Sequence, residues 1–234
     1  MKIKAIFFDV DDTLYDLSGP FVRAYDSFYG EKYPVTAQEM FIRSRRRSDE
    51  VYALTLTGEM SKHDMYIYRM QKAFEDAGIQ IPAEEALQYQ EYYAACQRQI
   101  SMTPYMKQWL EHWKGKIPMG VITNGPAEHQ WNKVHDLGLL EYFDRDKVLV
   151  SEELGTAKPD PKIFELALER VGTNPEETCF VGDSFSMDMT GACKAGWKTI
   201  WMNHRKHEPL ENGAVPDYVV SSEKEMCELI EKLI

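Results

Sequence analysis

Nothing in this chain of 234 residues approaches the roughly 20 consecutive apolar residues of a membrane span. The N-terminus runs straight into a strand-like segment with none of the regions of a secretory leader, so no membrane partner and a cytoplasmic protein are expected. Cysteine is scarce: Cys96, Cys179, Cys193 and Cys227 have no metal-like spacing and read as free thiols in a reducing compartment. Positive charge is also short, with 27 Lys and Arg against 38 Asp and Glu and a net charge of -11. That balance argues against a nucleic-acid polymer as partner. It also requires a local positive site to draw any anionic ligand against the field of the whole molecule. There is no internal repeat and no low-complexity segment. What remains is ordinary for a globular domain: 44% hydrophobic and 28% charged residues. The length suits one large or two modest domains, and a monomer or homodimer is expected.

The second part of the chain alternates strand-like runs with helical patterns. The runs are Pro118–Thr123, Lys147–Ser151, Thr178–Gly182, Thr199–Met202 and Tyr218–Val220. The clearest helix has Asp160 as N-cap and Pro161 in its first position. It carries Ile163, Phe164, Ala167, Leu168 and Val171 on one face and stops at Gly172. Such alternation predicts an α/β fold, a Rossmann-like parallel sheet with helices on both faces. Ligands of such sheets bind beyond the carboxyl ends of the strands. An earlier strand lies within Ile3–Phe8, more than a hundred residues before the next one. A parallel crossover needs only about a dozen residues, so the excess is an inserted unit. Its pattern is helical, with Phe21, Tyr25 and Phe28 on one face, Ile67, Met70 and Phe74 on another, then Ala83–Gln99. Gly30, Gly58 and Gly78 punctuate it. The predicted organisation is an α/β core of residues 1–14 and 104–234 and an α-helical cap over the active site, residues 15–103. Hinges are expected near Leu14–Ser18 and Ile100–Pro104.

The first strand stops on Asp9-Val10-Asp11-Asp12-Thr13-Leu14. Two carboxylates spaced i, i+2 at a strand end repel, and each prefers water to a low-dielectric cleft. Such a pair persists where something positive sits on it or where it does chemistry. Three further fragments follow: Val121-Ile122-Thr123-Asn124-Gly125, Lys158-Pro159-Asp160-Pro161, and Val181-Gly182-Asp183-Ser184 with Asp188. Singly each has a structural reading: a solvated turn or cap, a turn, a surface lysine, a helix entry. In this order, three of them directly after strands, they resemble the haloacid dehalogenase (HAD) superfamily, in its branch with a helical C1-type cap. The resemblance covers about residues 1–14 and 104–220 and is looser across the cap.

The resemblance implies a phosphatase. A carboxylate at Asp9 would attack phosphorus and form an aspartyl-phosphate, splitting one hard displacement into two. Mg²⁺ would bridge Asp9 and a phosphate oxygen, with Asp183 as second carboxylate ligand, the Asp11 carbonyl as third, and Asp188 holding metal waters in an outer shell. Mn²⁺ suits the same ligands. Asp11 would be the general acid and base, its side chain turned away from the metal. The halide-releasing members lack an acid there, so Asp11 favours phosphate esters over carbon–halogen bonds. Thr123 and the backbone N–H groups of Asn124 and Gly125 would hold phosphoryl oxygens. Lys158 would supply the remaining positive charge beside a helix start.

Thr123-Asn124-Gly125 with Gln130, and Ser151 to Pro159, are similar to bacterial pyrimidine 5'-nucleotidases and N-acylneuraminate 9-phosphatases. The expected substrate is therefore a small phosphate ester, first a nucleoside 5'-monophosphate. Sugar phosphates and phosphoglycolate are alternatives, and a phosphomutase would share the first half-reaction. Arg69 is the expected cap contact, by its resemblance to the nucleotidase layout. The run Arg43-Ser44-Arg45-Arg46-Arg47 would meet an anionic substrate or form a solvated helix face. Tyr25, Tyr29, Tyr52 and Tyr66 would stack a base or fill the cap core. Two other classes remain: a receiver domain, against which the length, the inserted unit and Asp11 all count, and a non-catalytic phosphate-binding module.

Overall fold

The structure is a computed structural model that describes residues 2–211 and 213–234, with the side chain of Leu56 outside the description. The chain divides into two compact units, one running to Asp16 and resuming at Ser101, the other spanning Leu17–Ile100.

The first unit begins with β1 (Ala5–Phe8). The second unit holds α1 (Ser18–Phe28), α2 (Ala37–Thr57), α3 (Lys62–Glu75) and α4 (Ala83–Gln97). The chain then returns to the first unit through α5 (Pro104–Trp113), β2 (Met119–Thr123), α6 (Ala127–Asp136), β3 (Val148–Val150), α7 (Ser151–Leu154) and α8 (Pro161–Val171). It closes with β4 (Thr178–Gly182), a π-helical turn at Phe185–Met189, α9 (Thr190–Lys194), β5 (Lys198–Met202), β6 (Tyr218–Val220) and α10 (Glu223–Leu233).

All six strands are parallel, in the order β3-β2-β1-β4-β5-β6. β1 lies centrally, between β2 and β4, where the strand order reverses. That is the position at which an open parallel sheet leaves a crevice for a ligand. Every residue of β1 is buried, because neighbouring side chains point to opposite faces and helices cover both. Phe7 packs on Trp197 at 5.4 Å, in the cluster with Ile163, Phe164 and Phe180. Phe8 meets Trp109 of α5 on the other face. The α8 ends follow their sequence signals: the Asp160 side chain accepts from the Lys162 N–H at 3.0 Å, Pro161 is in the first turn, and Gly172 closes it at φ 65.

In the helical unit α1 packs on α2 and α4, and α3 on the same two. Aromatic rings dominate its core: Phe21, Tyr25, Tyr29, Phe74 and Tyr89 are buried against one another. Tyr25 and Tyr29 are therefore packing residues rather than a base-stacking surface. The arginine run also has its partners here. Arg43 donates to the Asp76 carbonyl at 2.7 Å, and Arg46 and Arg47 pair with the Asp76 carboxylate at 2.7 and 2.5 Å. Asp76 caps the C-terminus of α3, so these cations tie α2 to α3. Gly58 ends α2 at φ 78, as its punctuating position suggests. No helix among the described residues is long and apolar enough to cross a membrane.

Candidate active site

Asp9 leaves the end of β1 with its N–H still bonded to the Val181 carbonyl of β4, at 2.9 Å. The neighbouring strand thus fixes the backbone that carries the carboxylate. Lys158 Nζ lies 2.5 Å from Asp9 Oδ1 and 2.7 Å from Asp188 Oδ1, and 5.2 Å from the centre of the Phe180 ring. Lys158 is only 4% exposed. The Asn124 side chain brings it there: its Nδ2 donates to the Lys158 carbonyl at 2.8 Å, and its Oδ1 accepts from the Lys158 N–H at 2.9 Å.

Asp183 follows β4, and its carbonyl accepts from Trp201 Nε1 at 2.7 Å. Carboxylate oxygens of Asp9, Asp183 and Asp188 lie within 4.8 Å of one another. Gly182 makes room for this, since a Cβ there would collide with the Asp188 carboxylate. Asp188, expected to hold metal waters in an outer shell, has its carboxylate in the same group, with Oδ2 accepting from the Ser184 N–H at 3.0 Å.

Burial, outweighing the Lys158 ammonium, pushes the Asp9 carboxyl up to about 7, with Asp188 and Asp11 adding repulsion. Burial and then the Asp188 and Asp9 charges push Asp183 well above the ordinary carboxylate range. Burial alone would lower Lys158, but the Asp188 and Asp9 carboxylates prevail and hold it above an ordinary lysine. If all three carboxylates were ionised, the one ammonium, paired with Asp9 and Asp188, would leave an excess of negative charge in a buried place, which is why burial and mutual repulsion raise Asp9 and Asp183. The donors are all hard oxygens, so the residues fit a small divalent cation of the Mg²⁺ or Mn²⁺ type.

The fourth carboxylate goes elsewhere. Asp11 accepts from Lys133 Nζ at 2.8 Å on Oδ1 and 2.5 Å on Oδ2, and from the Tyr15 hydroxyl at 2.5 Å on Oδ1. Asp12 beside it has a positive φ of 56, a conformation costly for a residue with a side chain. Arg205 holds it there with two hydrogen bonds, from Nε and from Nη2, the latter at 2.6 Å.

Thr123 is 1% exposed and donates to Gln130 Oε1 at 2.9 Å, while Gln130 Nε2 donates to the Asn124 carbonyl at 2.9 Å. Gly125, at φ 141, leaves space for that amide, since a Cβ would sit 2.6 Å from Gln130 Nε2. The Gly125 N–H, expected to hold a phosphoryl oxygen, donates to Ser151 Oγ at 3.0 Å. Arg69 lies in the helical unit, 9% exposed. Its guanidinium donates to Gln90 Oε1 and lies 5.1 Å from the centre of the Tyr66 ring and 5.5 Å from that of Tyr93. Burial lowers its pKa.

Lys133, Tyr15 and Arg205 carry no assignment in the sequence, and Ser151 figures there only at the end of a strand-like run and the start of the Ser151–Pro159 motif. A signal for Lys133 exists: Gln130, Lys133 and Val134 share one face of α6, and two polar residues on a buried face call for partners. Arg205 gives no such signal, because its partner is 193 positions away.

The fold is that of an α/β enzyme, and the candidate site lies at the carboxyl ends of its parallel sheet. The chain belongs to the haloacid dehalogenase-like hydrolases, whose family model matches residues 3–196. It is 30% identical to a glyceraldehyde 3-phosphate phosphatase of Methanopyrus kandleri, covering 99% of this chain and 98% of that one. It is also 30% identical to the pyrimidine 5'-nucleotidase YjjG of Escherichia coli, covering 98% and 99%. Among solved structures, the HAD-hydrolase YfnB of Bacillus subtilis, described as bound to magnesium, superposes with a TM-score of 0.73. It is 23% identical over 98% of this chain and 99% of that one.

Proposed function

We propose that the protein is a divalent-metal-dependent phosphomonoester hydrolase that works through an aspartyl-phosphate on Asp9. The observation that carries this is the grouping of the Asp9, Asp183 and Asp188 carboxylates, two of them paired with Lys158, with a further carboxylate, Asp11, held two residues beyond the nucleophile. The names of the relatives agree, since both are phosphatases of small phosphate esters.

In the first half-reaction an Asp9 oxygen bonds to phosphorus and the bond to the ester oxygen breaks. Asp11 gives the departing oxygen a proton. In the second, water bonds to phosphorus, Asp11 takes its proton, and the bond to Asp9 breaks, releasing inorganic phosphate and restoring the carboxylate. Thr123, Lys158 and the Asn124 and Gly125 backbone are assigned to the phosphoryl oxygens, the latter after Gly125 exchanges Ser151 for the ligand. Asp9, Asp183 and the Asp11 carbonyl would hold a Mg²⁺ ion, with Asp188 close enough to hold its waters. Such an ion supplies neutralisation of the repulsion between an anionic nucleophile and an anionic ester.

The substrate is a small phosphate ester. A nucleoside 5'-monophosphate is the first choice and a sugar phosphate the second, and relatives of equal identity represent both classes. Arg69, a buried guanidinium that donates to the neutral Gln90 side chain, is assigned to substrate recognition, and the helical unit to the role of a cap. The test is phosphate release from nucleotides, triose and hexose phosphates and phosphoglycolate, with Mg²⁺ and with chelator. Metal-dependent release that Asp9→Asn abolishes, in a variant that melts like the parent, is expected. An isomeric ester in place of free phosphate would show a mutase, and an active Asp9→Asn would refute the nucleophile.

A further inference from the structure

Two of the carboxylates that follow β1, Asp9 and Asp11, have opposite assignments, and the fold sends them to different ammonium groups. Asp9 goes to Lys158, in the turn before α8, with Asp183 and Asp188 close by. Asp11 goes to Lys133 of α6 and does not belong to that group of three. Both oxygens of Asp11 lie within hydrogen-bond distance of Lys133 Nζ, at 2.8 and 2.5 Å. A donor shared by both oxygens, with the Tyr15 hydroxyl at 2.5 Å on one of them, fixes the plane of the carboxylate as well as its position.

Lys133 is itself 6% exposed. Burying an ammonium on a helix face is a weak way to add stability, since desolvation offsets most of the attraction to the partner. An apolar residue would serve the packing of α6 better. The same face carries Gln130 one turn earlier, which grips Thr123 and the Asn124 carbonyl. α6 is thus a bracket whose two buried polar side chains reach two different parts of the site.

We infer that Lys133, assisted by Tyr15, is a positioning residue that holds the Asp11 carboxylate apart from the Asp9, Asp183 and Asp188 cluster and aimed at the oxygen that leaves and the water that enters. This rests on the hydrolase reading above, with Asp11 as the group that moves protons. Without Lys133, Asp11 loses its orientation while Asp9 keeps its own.

The leaving group separates this role from a merely structural one. A nitrophenolate departs without a proton, whereas an alkoxide needs one. Wild-type protein and the variants Lys133→Met, Lys133→Arg and Tyr15→Phe are compared on p-nitrophenyl phosphate and on an alkyl phosphate that the wild type hydrolyses. In Lys133→Met, kcat/KM for the alkyl ester is expected to fall on the order of 10- to 100-fold, part of the roughly 10²- to 10⁴-fold that a positioned acid or base contributes. For the nitrophenyl ester kcat/KM should hold within about 3-fold, while kcat and KM fall together because the phosphoenzyme waits for its base. Lys133→Arg should restore most of the loss, and Tyr15→Phe should show the same pattern more weakly, which keeps the test open if Lys133→Met does not fold. Equal losses of kcat/KM for the two esters, or no change in either, would overturn the inference. A wild type that releases phosphate from no ester would instead remove the hydrolase reading beneath it.

Discussion

At the scale of single residues, the site is governed by what burial does to charge. Asp9 sits at about 7 because burial outweighs the Lys158 ammonium, whereas an unfolded aspartate titrates near about 3.9. The folded state therefore holds this proton more tightly than the unfolded chain. The contribution to stability is full below about pH 4 and is lost as the pH rises through about 7. A divalent cation held by Asp9, as proposed, would compete with that proton for the same oxygen. Mg²⁺ affinity in calorimetric titrations is accordingly expected to strengthen from about pH 6 to about pH 8, and a Kd that stays flat over that range would contradict the assignment of Asp9 as a ligand. The residues of the cluster were legible because carboxylates at the ends of apolar runs stand out. Lys133 carried only the weak signal of its place on the apolar face of α6, because a lysine there reads as a solvated tip unless its partner is known, and that partner, Asp11, is 122 positions away.

At the scale of elements, strand ends do the positioning. β4 matches its sequence run, Thr178–Gly182, because five buried residues in a row suit a strand covered on both faces. Its last residue decides the geometry of the cluster. Gly182→Ala puts a methyl group against the Asp188 carboxylate, with no positive φ to add backbone strain. Mg²⁺ binding should weaken by about 10- to 100-fold, the usual cost of disturbing a metal ligand's surroundings. Unaltered affinity in a folded variant would show that Asp188 can move without consequence. The helix α8 was also legible, from its Asp160 cap, Pro161 and Gly172. The use of Asn124 as a clamp on the Lys158 backbone was not, since an Asn after a strand looks like any turn residue.

At the scale of the whole molecule, each unit has apolar packing of its own. Phe7 of β1 packs into a cluster with Ile163, Phe164 and Trp197, while the helical unit stacks aromatic rings. Phe74 is fully buried there, 5.2 Å from Tyr29 and 4.9 Å from Tyr33. Phe74→Ala in the full chain should lower the stability of that unit by about 3–5 kcal/mol, read from the helical signal in a denaturant titration. An unmoved transition would mean that the aromatic cluster is not what holds the four helices. The division of the chain falls between Asp16 and Leu17 and between Ile100 and Ser101, close to the segments where the sequence places its hinges. The reason is topological: an insertion of that length between two parallel strands has to build its own core.

By itself the amino-acid sequence determined the α/β pattern, the presence of a helical insertion, and which carboxylates end up beyond the strands, because periodicity and strand-end position are local properties. Only the tertiary structure decided which cation meets which anion. Lys158 is tied to Asp9 and Asp188, Lys133 to Asp11, and Arg205 to Asp12. Pairings of this kind depend on distances set by the sheet order and the packing of α6 and α8, and a chain of alternating strands and helices carries no local record of them.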